Sequence, residues 1–290
     1  MLNALSDHSA LLDETVALCS PGDFIVKSKL KGEFMKIKDK VVVVTGAASG
    51  IGRGLCKRFA AEKPKGIVVS DYNTEGAAKV AAEIGGLAVT ADVGKEADIK
   101  NLVDIATRQY GPIDLFCSNA GIPAPGGAEA PDEMWQRSWD IHVMAHVYAA
   151  RAVLPSMIER GSGYLLQTAS AGGLLTTLGQ APYAVSKHAA VAFAEYLSIT
   201  HARQGIKVSC LCPFGVISGM LPEDAEGVGK LILKTAITPE ACADYVVTAL
   251  DKEEFFIFPH PEILEYFKAR ANNHERWLHH MRKEQERYIG

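Results

Sequence analysis

Tyr183 and Lys187 stand four residues apart in "QAPYAVSKHAA", a stretch that reads as helix. That spacing places both on one helix face. A free tyrosine titrates near ~10 and is a poor base at neutrality. A neighbouring ammonium favours the phenolate and brings the hydroxyl toward what a general acid/base needs. Tyr/Lys pairs are common on helices, so the pair alone is weak. Ser170 strengthens it. It ends the preceding strand, thirteen residues earlier, and its hydroxyl is placed to hold a substrate oxygen.

A second pair lies upstream, in "WDIHVMAHVYAARAVLP". His142 and His146 are also four apart, the spacing of a helical metal-ligand pair. A zinc site needs further ligands. No Cys, Asp or Glu stands nearby at ligand spacing, so no metal is expected. The alternatives are a core histidine bonded to backbone and a group in a proton path.

The elements that must position these residues are legible in the hydrophobic pattern. Strands are expected at 40–46, 66–71, 87–93, 113–121, 164–170, 207–213 and 255–259. Helices are expected at about 50–63, 74–84, 95–109, 132–160, 180–204 and 239–250. Near-continuous apolar strands alternating with helices predict an α/β fold, a single-domain, Rossmann-like, doubly wound parallel sheet of seven strands with helices on both faces. The first strand runs into "TGAASGIG", Thr45 to Gly52, at a strand-to-helix turn. Gly46, Gly50 and Gly52 there allow tight backbone and close approach of a pyrophosphate to the helix N-terminus. Asp71 ends the second strand, nineteen residues past Gly52. A carboxylate at this place accepts from the adenosine ribose hydroxyls and repels a 2′-phosphate. Arg53 is the competing signal for NADP, with a surface charge as its plainer role. NAD is therefore expected over NADP.

The 290 residues are 48% hydrophobic and 22% charged, with a net charge of −4. This is ordinary globular composition, with no basic run to suggest a nucleic-acid partner. Six cysteines without a CxxC read as free buried thiols, Cys210 and Cys212 sharing one strand face. No apolar run of ~18 residues suggests a membrane span. Asp7, Asp13 and Glu14 make the N-terminus a poor signal peptide, so a cytoplasmic protein is expected. Residues 1–37 read as an N-terminal extension, with a short helix possible at "SALLDETVALC". Residues 38–258 read as the dinucleotide-binding domain and 259–290 as a helical tail. In that tail Leu264, Phe267, Ala271, His274, Leu278, Met281, Gln285 and Tyr288 form one helical stripe, docked on the domain or on a sister subunit.

Taken together, "TGAASGIG", Asp71, "DV" (92–93), "SNAG" (118–121), Ser170, "YAVSK" (183–187) and "CPFGVIS" (212–218) resemble the classical short-chain dehydrogenase/reductase family over roughly residues 38–258. The resemblance implies that the glycine segment, with Ser49 and Ile51, cradles the cofactor phosphates. It implies that Asp92 and Val93 meet adenine, and that Asn119, Ala120 and Gly121 line the cofactor. Pro213, Val216, Ile217 and Ser218 would close over the nicotinamide, the Ile217 backbone and the Ser218 hydroxyl holding its carboxamide. Ser170 would orient the substrate and Tyr183 exchange its proton. Lys187 would bind the nicotinamide ribose and depress the tyrosine pKa. It implies hydride transfer between NAD(H) and a small secondary alcohol or carbonyl compound by a homodimer or homotetramer. An NADPH-dependent carbonyl reductase and a non-catalytic nucleotide-binding regulator are the alternatives. Residues 218–238 would form the substrate loop. Phe214 stands where the family has glycine, with Gly215 supplying the lost flexibility. His142 stands where the family has an asparagine that holds a water beside the catalytic lysine. A neutral imidazole carries one donor and one acceptor for such a water, and titrates near neutrality.

Overall fold

Four consecutive valines, Val41–Val44, open the sheet. Successive strand side chains point to opposite faces. Val41 and Val43 enter the core on one face, and Val42 and Val44 the core on the other. The next strands repeat the rule, with Val68 and Phe116 on the first face and Val69, Leu115 and Cys117 on the second. This is why the strands read as unbroken apolar runs.

The protein is described by a computed structural model, which covers residues 35–221, 223–224 and 227–289. The expected extension before residue 35, with its candidate helix and Cys19, lies outside the described residues. The strands are β1 (Val41–Thr45), β2 (Gly66–Asp71), β3 (Leu87–Thr90), β4 (Leu115–Ser118), β5 (Gly163–Thr168), β6 (Ile206–Leu211) and β7 (Phe256–Ile257). They form one seven-stranded sheet in the order β3-β2-β1-β4-β5-β6-β7, every pair parallel. Helices α1 (Gly50–Ala61), α2 (Thr74–Ile84) and α9 (Pro239–Lys252) cover one face. Helices α3 (Glu96–Tyr110), α5 (Ala145–Glu159) and α7 (Ala181–His201) cover the other. The chain order reverses between β1 and β4, and a crevice at such a reversal is where doubly wound sheets bind dinucleotides.

Several expected strands stop two or three residues early. β3, β4, β5 and β6 end at Thr90, Ser118, Thr168 and Leu211. The apolar residues that follow are loops folding over the sheet's carboxyl edge. The expected helix at 132–160 is α4 (Asp132–Trp139), a π-helical turn at Asp140–Met144, and α5. It is long and apolar enough to cross a bilayer by length and composition, yet its inner face lies on the sheet. Two short helices, α6 (Gly172–Leu175) and α8 (Gly227–Leu233), carry no clear periodicity.

The tail corrects the single expected stripe. It is two helices, α10 (Glu262–Asn272) and α11 (His274–Tyr288). Asn273 leaves the helical backbone and accepts from the Arg276 amide, capping α11 as it ends α10. Phe267 and Trp277 pack against the core, and Arg270 donates to the Leu174 carbonyl, so the tail docks on its own domain.

Helices α1 and α9 approach closely at Gly54, where a Cβ would lie 2.6 Å from the Pro239 carbonyl oxygen. Alanine gains up to ~1 kcal/mol of helix propensity over glycine. Overpacking against backbone costs roughly 1–3 kcal/mol. Gly54→Ala is therefore expected to destabilise the protein, with a lower midpoint in urea denaturation; an unchanged or raised midpoint would show that the helices can part.

Candidate active site

The predicted residues converge on the carboxyl edge of the sheet. Gly46 and Gly50 have φ of +64° and +51°, a backbone region that favours glycine. A Cβ on Gly46 would lie 2.6 Å from the Ala120 Cα, and one on Gly52 would lie 2.2 Å from the Gly46 carbonyl oxygen. The turn is thus too tight for any other residue, and "SNAG" packs directly on it. Helix α1 starts with no side-chain cap from Ser49 and no acidic residue in its first turn. Its first amides and its dipole therefore favour an anion. Ile51 packs half-buried on the core behind this turn.

Asp71 is almost buried at the end of β2, and its carboxylate accepts from the Ala48 and Asn73 amides at 3.0 and 2.9 Å. The negative group is fixed beside the glycine turn. Arg53 turns away and pairs with Glu83 at 3.0 Å. Asp92 accepts from the Gly94 amide at 3.0 Å, with Arg137 at 3.5 Å, while Val93 is buried.

The Asn119 side chain is engaged within the sheet. Its Nδ2 donates to the Thr45 carbonyl at 3.0 Å, and its Oδ1 accepts from Thr168 Oγ1 at 3.1 Å. It ties β1 to β5, leaving the Ala120 and Gly121 backbone to face the crevice. Thr45 Oγ1 in turn accepts from the Asn119 and Ala120 amides. Thr45 and Thr168 were not singled out from sequence, where two strand-end threonines look like ordinary β-formers.

Ser170 lies at the carboxyl edge beyond β5 and accepts from the Gly172 amide at 3.0 Å. Tyr183 lies beside it: Ser170 Oγ and Tyr183 Cε1 stand 3.4 and 3.5 Å from one point, the place a Cβ on Gly172 would take. Lys187 is 3% exposed, with Nζ 2.9 Å from the Thr168 carbonyl and 5.7 Å from the Tyr183 ring centre. Burial lowers the Lys187 pKa to about 8, opposed by the nearby Cys210 and Cys212. Burial raises the Tyr183 pKa, and the neighbouring Ser170 hydroxyl pulls the other way. In the chain alone, burial is thus the larger influence on the tyrosine, with the Lys187 ammonium 5.7 Å from its ring centre.

His142 is fully buried, and both ring nitrogens are engaged. Nε2 accepts from the Ile122 amide at 3.0 Å, so the neutral ring carries its proton on Nδ1 and donates to Ser186 Oγ at 2.8 Å. Ser186 Oγ in turn donates a hydrogen bond to the Pro182 or Tyr183 carbonyl. The expectation that this ring holds a water and titrates near neutrality is corrected on both counts. No donor or acceptor is spare, and burial, with Lys187 and His146 close by, holds the ring well below its usual pKa. The ring instead joins three elements: the loop after β4, the π-turn and α7. It meets Tyr183 edge-on, centroids 5.3 Å apart. His146 is buried with no hydrogen-bond partner on either nitrogen among the described residues.

The last segment also departs in detail. Neither Phe214 nor Gly215 has a positive φ, so Gly215 supplies no special flexibility. A Cβ there would lie 2.7 Å from Ile232 Cγ2; the glycine makes room for the returning loop. The Ile217 amide donates to the Ile237 carbonyl at 3.0 Å. Ser218 Oγ donates to the Val216 carbonyl, Pro213 and Val216 are buried, and Ser218 Cβ faces Gly50 across the crevice at 3.3 Å from a Cβ there. All five described cysteines are free and buried, with the Cys210 and Cys212 sulfurs 3.7 Å apart.

A family model described as short chain dehydrogenase matches residues 40–228. The chain is 36% identical over 238 residues to a 1-deoxy-11-beta-hydroxypentalenate dehydrogenase of Streptomyces exfoliatus, covering 77% of this chain and 84% of that one. It is 31% identical to the human epidermal retinol dehydrogenase 2, over 80% of this chain and 76% of that one. Among solved structures it resembles a short chain dehydrogenase/reductase from Burkholderia phymatum in complex with NAD, with TM-score 0.76, 26% identity, and coverage of 83% and 96%.

The buried imidazole of His146 generates a pH prediction. Burial, reinforced by Lys187, lowers its pKa from 6.5 to about 3. Between those values the unfolded chain binds a proton that the folded chain does not, so stability falls as pH drops through this window. At pH 5 the loss is about 2 kcal/mol relative to neutrality. His146→Leu is expected to flatten the unfolding free energy between pH 4 and 6 by about one proton, ~1.4 kcal/mol per pH unit. An unchanged slope in denaturant titrations would show that the imidazole finds a partner when charged.

Proposed function

The chain belongs to the short-chain dehydrogenase family, oxidoreductases acting on alcohol groups, and we propose that it moves a hydride between NAD(H) and a secondary alcohol or ketone, with Tyr183 as general acid/base. The observation that carries this reading is the convergence of Ser170, Tyr183 and Lys187 beside a glycine turn too tight for side chains. The residues fit a dinucleotide. The uncapped start of α1 suits the pyrophosphate, Asp71 the adenosine ribose, and the carbonyl of Ile217 with Ser218 the carboxamide. When bound, the nicotinamide supplies the hydride-accepting carbon and a positive charge.

The chain's own residues do the rest. Ser170 holds the substrate oxygen against the Tyr183 hydroxyl. Tyr183 takes the proton from an alcohol, or gives it to a ketone. Lys187 keeps a positive charge behind the phenol, and its low pKa lets it pass a proton near neutrality. His142 is a positioning residue: it fixes Ile122 and α7 relative to the π-turn and so sets the place of Tyr183.

NAD is favoured because Asp71 is fixed in the crevice and Arg53, the candidate for a 2′-phosphate, is paired with Glu83. An apolar alcohol is favoured by the names of the relatives, which act on a hydroxypentalenate and a retinol. A homo-oligomer is favoured by the outer face of α7, where Val185, Tyr196 and Ile199 are exposed, Ile199 by 81%. The free cysteines suit the cytoplasm.

Tyr183→Phe is expected to lower turnover of secondary alcohols by about 10² or more while leaving NADH fluorescence titration unchanged. Near-normal turnover would remove Tyr183 from the mechanism. In the same titration the wild type binds NADH more tightly than NADPH, and Asp71→Ala narrows the gap; tighter NADPH binding in the wild type would overturn the cofactor assignment. Light scattering should give a mass of at least twice 31.2 kDa at micromolar concentration; a monomer would refute the oligomer.

A further inference from the structure

His260 follows β7, far in sequence from the glycine turn and the tyrosine, and is 3% exposed. Its Nδ1 faces the Phe214 amide at 3.3 Å, and its Nε2 faces the Thr235 carbonyl at 3.1 Å. An amide only donates and a carbonyl only accepts. One tautomer satisfies both, the neutral ring with its proton on Nε2. The Phe214 ring meets the imidazole edge-on, centroids 5.9 Å apart. Phe214 and Thr235 are the two ends of the segment that leaves the sheet after β6, passes Ser218 and α8, and returns to α9. Beside the imidazole the same ends are stitched by backbone: Ile237 donates to Gly215 and Ile217 donates to Ile237.

We propose that His260 is a positioning residue that clamps Phe214 and Thr235, the two ends of this segment, and so fixes the place of the chain between Phe214 and Ser218 on the substrate side of the crevice. This rests on the reading of that loop as the substrate-side wall. A buried ring bonded at both nitrogens to backbone on both ends acts as a pin between them. Without it the ends keep only their backbone stitches and part at lower free energy. The clamp also gives the phenyl at position 214 a function, since glycine there offers no ring for the imidazole to pack on.

The test uses the intact protein. Lys230 and Lys234 are exposed within the loop and are trypsin sites. His260→Leu removes both bonds, His260→Asn keeps an acceptor near the place of Nδ1, and His260→Gln keeps a donor near the place of Nε2. Cleavage after Lys230 or Lys234, followed by mass spectrometry, is expected to be about tenfold faster in the leucine variant, as for the loss of one buried hydrogen-bonded pair or more. The asparagine and glutamine variants should fall between it and the wild type, and they carry the test should the leucine variant not fold. With a substrate alcohol in hand, KM should rise by more than kcat falls. Wild-type cleavage rates in all variants would overturn the clamp, as would acceleration spread evenly over lysines elsewhere together with a lowered melting temperature. Selective loop cleavage in a protein that oxidises no alcohol would leave the clamp standing and remove the proposed activity.

Discussion

A lysine ammonium held out of water organises this site. Lys187 has its Nζ on the Thr168 carbonyl and almost no solvent contact. Burying a cation is costly unless it is compensated, and its lowered pKa reports that cost. Its surroundings adapt to it. The two nearby imidazoles stay neutral, with burial and the lysine both acting against their protonation. The two sulfurs beneath it, Cys210 and Cys212, are the groups that favour its charge. Thr168, whose carbonyl receives the ammonium, also holds Asn119 through its hydroxyl. The lysine's position, the strand spacing and the "SNAG" loop are therefore one connected arrangement.

The π-turn belongs to the same arrangement. A π-turn inside a helix gives up regular hydrogen bonding and persists where neighbours over-determine it. Here His142 supplies that determination, accepting from the loop after β4 and donating to α7. An asparagine amide offers the same two functions on a shorter stem. The imidazole spans further and adds an aromatic edge to the tyrosine. The donor–acceptor pair is kept while its reach changes.

Much of this was legible in the sequence because its causes are local. Valine runs specify buried parallel strands, glycines mark a turn with no room, and a spacing of four places Tyr183 and Lys187 on one face. The helix expected at about 74–84 is α2, whose ends are set by the Asn73 cap and by Gly85 with φ of +67°. What stayed hidden depends on partners distant in sequence. Nothing around His142 announces that Ile122 and Ser186 will take both its nitrogens. Nothing around Ile217 announces that Ile237 will take its amide, and His260 looks like one more histidine between two prolines. The tail misled for a different reason. Its apolar spacing continues across Asn273, so periodicity sees one helix where a side-chain cap starts a second. The π-turn was invisible because an added residue within a long apolar helix barely disturbs the pattern.

The crevice between β1 and β4 has a consequence for how the protein comes to exist. Thr45 and Cys117, joined across it, are 72 residues apart in the chain, and Lys187 and Asp71 arrive from opposite sides of that gap. Parallel pairings of such long range close late, because chain entropy is lost before contacts compensate it. The crevice with all its lining, from Gly46 to Lys187, exists only once those distant segments have joined, so a dinucleotide recognises the assembled sheet. Whatever binds there draws the folding equilibrium forward by mass action without guiding any earlier step. The cell's supply of that ligand then bears on how much of the protein survives as well as on how fast it works.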